Sequence, residues 1–186
     1  DSGDITFDGS TLTTGKSDGV SAVLTAAPLS AVRTDGSGQT VTVTGSTIRS
    51  TVTDMPAFEI ADSSSSAPTA ALTFANSTIN ATTDTGYAID AAGTVTVQES
   101  TLALTTTANT AFRAAGTVNI SDGSTVTADS VTGIAAGAVN ISGGSTVTAN
   151  ATTGIGISSG STIGIEGENT SVTASSTGRD AIYAAG

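Results

Sequence analysis

The chain has no cysteine, no histidine and no tryptophan, and aromatic residues make up 3% of its 186 positions. The absence of cysteine excludes a disulfide scaffold and thiolate metal sites. The scarcity of bulky side chains excludes an ordinary globular core, but not a narrow β-solenoid, where each coil encloses only a few side chains. Basic residues are also few: Lys16, Arg33, Arg49, Arg113 and Arg179 stand against 16 acids, for a net charge of −11. That balance argues against nucleic acid or an anionic membrane surface as a partner. No apolar run approaches the roughly 18 residues of a membrane span, so no direct membrane insertion is expected. Residues 131–165 carry no charge at all.

What is present is a repeat. Gly116-Thr-Val-Asn-Ile-Ser-Asp-Gly-Ser-Thr-Val-Thr-Ala128 recurs as Gly137-Ala-Val-Asn-Ile-Ser-Gly-Gly-Ser-Thr-Val-Thr-Ala149. A unit this short cannot close a core of its own, so successive units must stack. Three strand signals recur in fixed order. The first is an alternating apolar pair, from Ile5/Phe7 through Val41/Val43, Leu72/Phe74, Val95/Val97, Val118/Ile120 and Val139/Ile141 to Ile163/Ile165. Spacing of two places each pair on one face of a strand. The second is Ser-Thr followed by an apolar residue: Leu12, Ile48, Ile79, Leu102, Val126 and Val147, with Val172 after Thr-Ser. The third is a small residue before an apolar one, as in Ala57-Phe58, Ala88-Ile89, Ala111-Phe112, Gly133-Ile134, Gly154-Ile155 and Ala181-Ile182. In the first coil Ala22-Val23 is the best match to it.

The expectation is a right-handed parallel β-helix of about seven coils, each of roughly 21–25 residues and three strands. It forms one domain over residues 1–186. Gly, Asp and Asn punctuate the corners, and Thr, Val and Ile fill the strands. An α-helical repeat is disfavoured by the same composition. The alternation predicts an internal stack of Ser10, Ser46, Ser77, Ser100, Ser124 and Ser145, with Ala81, Ala128, Ala149 and Ala174 beside it. Residues 24–39 and Ser63–Pro68 exceed the period; 24–39 is expected to protrude as a loop, where function often sits. The chain stops at a point where earlier coils continue, so a piece of a longer solenoid is expected.

No catalytic signature emerges. Gly154-Ile-Gly-Ile-Ser-Ser-Gly lacks the lysine and the helix of a phosphate loop. Glu166/Glu168 and Asp1, Asp4 and Asp8 read as solvated edge charges rather than calcium or acid–base sites. No aromatic platform for a sugar is visible, no cofactor is implied, and the chain is expected not to be an enzyme. The candidate binding residues are outward-facing: Asn119 and Asn140 from first strands, Thr127, Thr148 and Thr173 from second strands, and Arg33 and Asp35 in the surplus segment. Regular threonine rows on a flat β-helix can bind ice, but the second-strand row Thr13, Arg49, Asn80, Ala103, Thr127, Thr148, Thr173 is broken. Neutral polar columns suit association with another copy or with a glycan.

The Gly-Thr-Val-x-Ile, Gly-Ser-Thr-Val-Thr-Ala and Gly-Ile-x-Ala-Gly units resemble the passenger domains of bacterial type V autotransporters. The similarity extends over nearly the whole chain and is tightest in residues 93–186. It implies an adhesin-like protein of a bacterial surface, or a secreted one, exported through an outer-membrane barrel. Its partners would be itself, a host surface protein or a glycan. A carbohydrate-binding or polysaccharide-cleaving β-helix is the alternative.

Overall fold

The structure, a computed structural model, describes residues 5–8, 11–15, 32–34, 40–60 and 70–186. It is an all-β parallel solenoid with no helix among these residues. The strands are β1 (Ile5–Asp8), β2 (Thr11–Gly15), β3 (Val32–Thr34), β4 (Thr40–Thr44), β5 (Thr47–Val52), β6 (Phe58–Ile60), β7 (Ala71–Ala75), β8 (Thr78–Thr83), β9 (Ile89–Ala91) and β10 (Thr94–Gln98). They continue as β11 (Thr101–Thr106), β12 (Thr110–Ser121), β13 (Thr125–Ser130), β14 (Thr132–Ile141), β15 (Thr146–Ala151), β16 (Ile157–Ser159), β17 (Ile163–Ile165), β18 (Ser171–Ser176) and β19 (Ile182–Ala184). Second strands form a 7-stranded sheet in the order β18-β15-β13-β11-β8-β5-β2, and first and third strands share a 12-stranded sheet. The described residues make about 5 turns, against the seven coils expected. They run unbroken only from residue 70 onward, because segments of the earlier coils lie outside the description.

Alternation decides what each strand buries. Strand β4 reads Thr-Val-Thr-Val-Thr, and Val41 and Val43 are fully buried while the threonines face out. Register then stacks like on like: Leu72, Val95 and Val118 align, as do Val118 and Val139. The third strands stack Phe58, Ile89, Phe112, Ile134 and Ile157, all at 0% exposure. Phe58 meets Phe74 across the core edge to face, centroids 5.3 Å apart, a preferred aromatic geometry. Val126 and Val147 are equally buried, and Ala128 and Ala149 stack beside them, but the expected small column is broken by Leu104, which stands in register between Ala81 and Ala128. Ala174 is partly buried.

Two expectations shift. The apolar partner of Ile134 is Ile157, preceded by Gly156, not Ile155. The segment Gly154-Ile-Gly-Ile offers two glycine–isoleucine pairs two residues apart, and a slip of two preserves strand parity, so alternation cannot choose between them. The surplus segment 24–39 also contains β3, whose Val32, Arg33 and Thr34 pair with Phe58, Glu59 and Ile60. The third strand of the first coil is therefore Val32–Thr34; Ala22 and Val23, like residues 24–31 and 35–39, lie outside the described residues. In β12 and β14, moreover, third and first strands run on as one, with a register shift between Ala114 and Thr117. That corner is tight: a Cβ on Gly116 would lie 2.8 Å from the Gly93 carbonyl oxygen.

The serine stack is a hydrogen-bonded ladder at the corner between first and second strands. The Ser46 N–H donates to Ser77 Oγ (3.1 Å), the Ser77 N–H to Ser100 Oγ (3.0 Å) and the Ser100 N–H to Ser124 Oγ (3.2 Å). Each hydroxyl donates in turn to a carbonyl of its own corner: Ser77 to Ala75 at 2.8 Å, Ser100 to Gln98 at 2.6 Å, Ser124 to Ser121 at 2.6 Å. Buried polar groups are thereby satisfied without water. One left-handed residue turns each early corner: Gly45, Asn76 and Glu99, with φ of 55°, 51° and 46°. In the next two coils the corner gains a residue, and Asp122-Gly123 and Gly143-Gly144 are both left-handed. The ladder stops there, because the Ser124 N–H bonds back to Ser121 O (3.2 Å) and the Ser145 N–H to Ser142 O (3.3 Å). Ser10 lies outside the described residues. A second hydroxyl column lies at the far end of the second strands. There Thr83 Oγ1 accepts the Gly86 N–H (3.1 Å) and Thr106 Oγ1 donates to Gly86 O (2.9 Å).

Val126→Asp should cost several kcal/mol, because an unpaired ion enters a dry tube, while Thr127→Asp should leave thermal unfolding nearly unchanged. Ser100→Ala removes the acceptor for a buried N–H and should cost about 1–3 kcal/mol. Ser145→Ala removes only a hydroxyl that donates to Ser142 O and should cost less. Chemical denaturation of the serine pair checks that order.

Candidate functional site

Function has to be sought on the outer faces. On the 7-stranded sheet, register converts the sequence into columns that run along the rod. Thr127, Thr148 and Thr173 stack directly, and the same column continues down through Ala103, Asn80 and Arg49. Beside it runs an unbroken column. Thr47, Thr78, Thr101, Thr125 and Thr146 align in successive coils and end at Ser171, all exposed. In the sequence these threonines mark only the start of the second-strand signal. Their β-branched side chains alternate with the inward apolar residues, so one Ser-Thr-Val triplet supplies a ladder serine, a surface threonine and a core valine. A third column reads Thr51, Thr82, Thr105, Asp129, Asn150 and Ser175. Its last three members are bonded laterally: Asn150 Nδ2 donates to Asp129 Oδ1 (2.8 Å), and Ser175 Oγ donates to Asn150 Oδ1 (2.9 Å).

Asn119 and Asn140 lie elsewhere, on the outer face of the first strands. They are in register, and Asn140 Nδ2 donates to Asn119 Oδ1 at 2.9 Å. Below them stand Thr96, Thr73 and Thr42. The five candidates in residues 119–173 thus split between two sheets, three on one face and two on another.

The third strands carry a different surface. Arg33 is opposite Glu59, Glu59 is opposite Asp90 and Asp90 is opposite Arg113. Glu59, Asp90 and Arg113, scattered through the sequence, become one column, with Ala135 and Ser158 beyond it. Arg113 Nη1 donates to both Asp90 oxygens, at 3.1 and 3.3 Å, and the guanidinium lies 5.2 Å from the centre of the Tyr87 ring. Partial burial pushes the Asp90 carboxyl above its ordinary pKa; Arg113 opposes the rise, and the Glu59 charge adds to it. Of the loop candidates, Arg33 is paired through the backbone of β3 with Glu59, and Asp35 lies outside the described residues. Glu59, Asp90 and Tyr87 carried no signal in the sequence, since each is an isolated residue there. Among the described residues, no three His, Cys, Asp or Glu side chains gather as metal ligands.

Because Arg113 holds the Asp90 pKa down, Arg113→Ala should raise it further. In the wild type, the raised pKa makes Asp90 a group whose ionisation disfavours the fold. Its contribution is most favourable below the unfolded pKa and declines as pH climbs to the folded one. Carboxyl chemical shifts followed through an acid titration of both proteins check the direction. No family model matches the chain, and no curated protein or solved structure does, so its function must be argued from these columns.

Proposed function

We propose that the protein is a non-enzymatic adhesin or aggregation factor of a bacterial surface, or a secreted one, acting through the side of the rod. Its partners are a second copy of itself, or a host surface protein or glycan. On this reading the solenoid is a right-handed parallel β-helix of seven coils, as the crossover preference of parallel strands favours, and it belongs to an autotransporter-type passenger. The observation that carries the proposal is the pair of neutral polar outer faces, each repeating one contact in coil after coil. A single threonine or asparagine contact contributes about 0.5–1 kcal/mol, so only a long row has useful affinity. Such rows bind weakly in solution and strongly between crowded surfaces, where many act together.

A second reading, recognition of ice, gains from one observation: the unbroken threonine column Thr47 to Thr146. Recrystallisation of ice in the presence of the purified chain tests it. A glycan-binding or polysaccharide-cleaving β-helix is tested by a glycan array with a reducing-sugar assay beside it.

Cells displaying the domain should clump. Because the candidates occupy two faces, lysine substitution separates them: Thr127→Lys with Thr148→Lys blocks one face, and Asn119→Lys with Asn140→Lys blocks the other. At least one pair should disperse the clumps while the circular dichroism spectrum stays that of a folded β protein. Clumping untouched by both pairs together would overturn association through these columns.

A further inference from the structure

The outer face of the 7-stranded sheet is neutral except at two places. Among the described residues of β5, β8, β11, β13, β15 and β18, the only charged side chains are Arg49 and Asp129. Arg49 is exposed and faces outward from β5. It has no salt bridge or hydrogen bond among the described residues. Asp129, on β13, accepts one bond from the neutral amide of Asn150 through Oδ1. Strand order puts β8 and β11 between β5 and β13, three coil steps of about 4.8 Å, so the two charges stand roughly 14 Å apart. They cannot pair within one chain.

We propose that this face docks onto the same face of a second copy, with the two rods antiparallel, and that Arg49 of each copy pairs with Asp129 of the other. The proposal rests on the self-association reading above and specifies its face and register. Two-fold symmetry allows two face-to-face arrangements, because an isologous interface sets one patch against itself. With the rods parallel and in register, each coil meets its own counterpart, and Arg49 meets Arg49. With the rods antiparallel and centred between β8 and β11, β5 meets β13. The two-fold axis then runs along the strands, so position along each strand is kept. Arg49 stands over Thr127, and Asp129 lies one alternate residue further along the same strand. A neighbour two residues along a strand is within reach of a long arginine side chain. Symmetry makes two such pairs per dimer. Between them, Thr78 faces Thr101, and Asn80 faces Ala103, small neutral partners with no charge to desolvate.

The size of the contact fits. In this register β2, β5, β8, β11, β13 and β15 each face a strand of the partner; six strands of about 20 Å, stacked over roughly 25–30 Å, give on the order of 500 Å² per partner. The total of about 1,000 Å² is at the lower edge of specific interfaces. One pair of rods therefore binds transiently, and arrays of them bind durably. Charge complementarity at such an interface selects the register more than it adds affinity.

Beads coated with the full 186-residue chain test this. Wild-type beads should clump. Arg49→Asp and Asp129→Arg should each weaken clumping, with a rise in the concentration needed of roughly fivefold to tenfold. Mixing beads of one variant with beads of the other restores both ion pairs and should restore clumping, and the double exchange on one chain should do the same. Arg49→Ala separates the arrangements: it weakens an antiparallel pair and strengthens a parallel one. Clumping by wild-type beads that is indifferent to every substitution at these two positions, or not restored in the mixture, overturns the antiparallel register and leaves self-association standing. Wild-type beads that never clump overturn both.

Discussion

Each coil is bonded to its neighbours through parallel strands in register, and that one constraint organises everything else in the molecule. A parallel ladder spaces coils by about 4.8 Å and forbids sideways drift. Whatever occupies a position in one coil therefore lies against the same position in the next. A favourable residue becomes a favourable column, and an unfavourable one would be repeated or interrupted along the whole rod. The core shows the favourable case, with Phe58, Ile89, Phe112, Ile134 and Ile157 in one line.

The corners obey the same constraint by a different chemistry. A bend in a narrow tube exposes inward-facing N–H and carbonyl groups that water cannot reach, and a serine hydroxyl serves as donor and acceptor at once. Ser77, Ser100 and Ser124 each use both capacities, accepting an N–H from the preceding coil and donating to a carbonyl of their own corner. Where Asp122-Gly123 and Gly143-Gly144 lengthen the corner, the backbone satisfies itself through a tight turn, and the ladder is no longer needed. The corner thus has two solutions, and the number of left-handed residues selects between them.

The outer surface inherits the register without needing it for stability, and this gives the rod its functional character. Neutral columns on two faces and a charged column on a third arise from one repeat with small substitutions. The charged column is local: Glu59, Asp90 and Arg113 occupy neighbouring coils, and Ala135 and Ser158 succeed them. Acids also stand at the corners, Glu99 and Asp122 before second strands and Asp54 and Asp84 after them, so repulsion from the net −11 acts at the edges of the threonine columns more than within them.

How much of this was legible before folding depends on which quantity is local. Strand parity is local, since it follows from the alternation within four or five residues. Val118, Val126, Val139 and Val147 could therefore be assigned to the core, and Thr127 and Asn119 to the surface, from the sequence alone. The serine ladder was legible for the same reason, because Ser124 shares parity with Val126. Register across a gap is not local. Gly154-Ile155 and Gly156-Ile157 have the same parity, and only pairing with Ile134 chose Ile157. Val32–Thr34 likewise became a strand only by pairing with Phe58–Ile60. The charged column is a product of register entirely; parity alone puts Arg49 and Asp129 on the threonine face, and strand order sets how far apart along the rod they stand. The repeat and its alternation determine that this chain winds into a parallel solenoid; which side chains become neighbours is decided only when the coils stack, because hydrogen-bonded register, not sequence distance, sets what each residue touches.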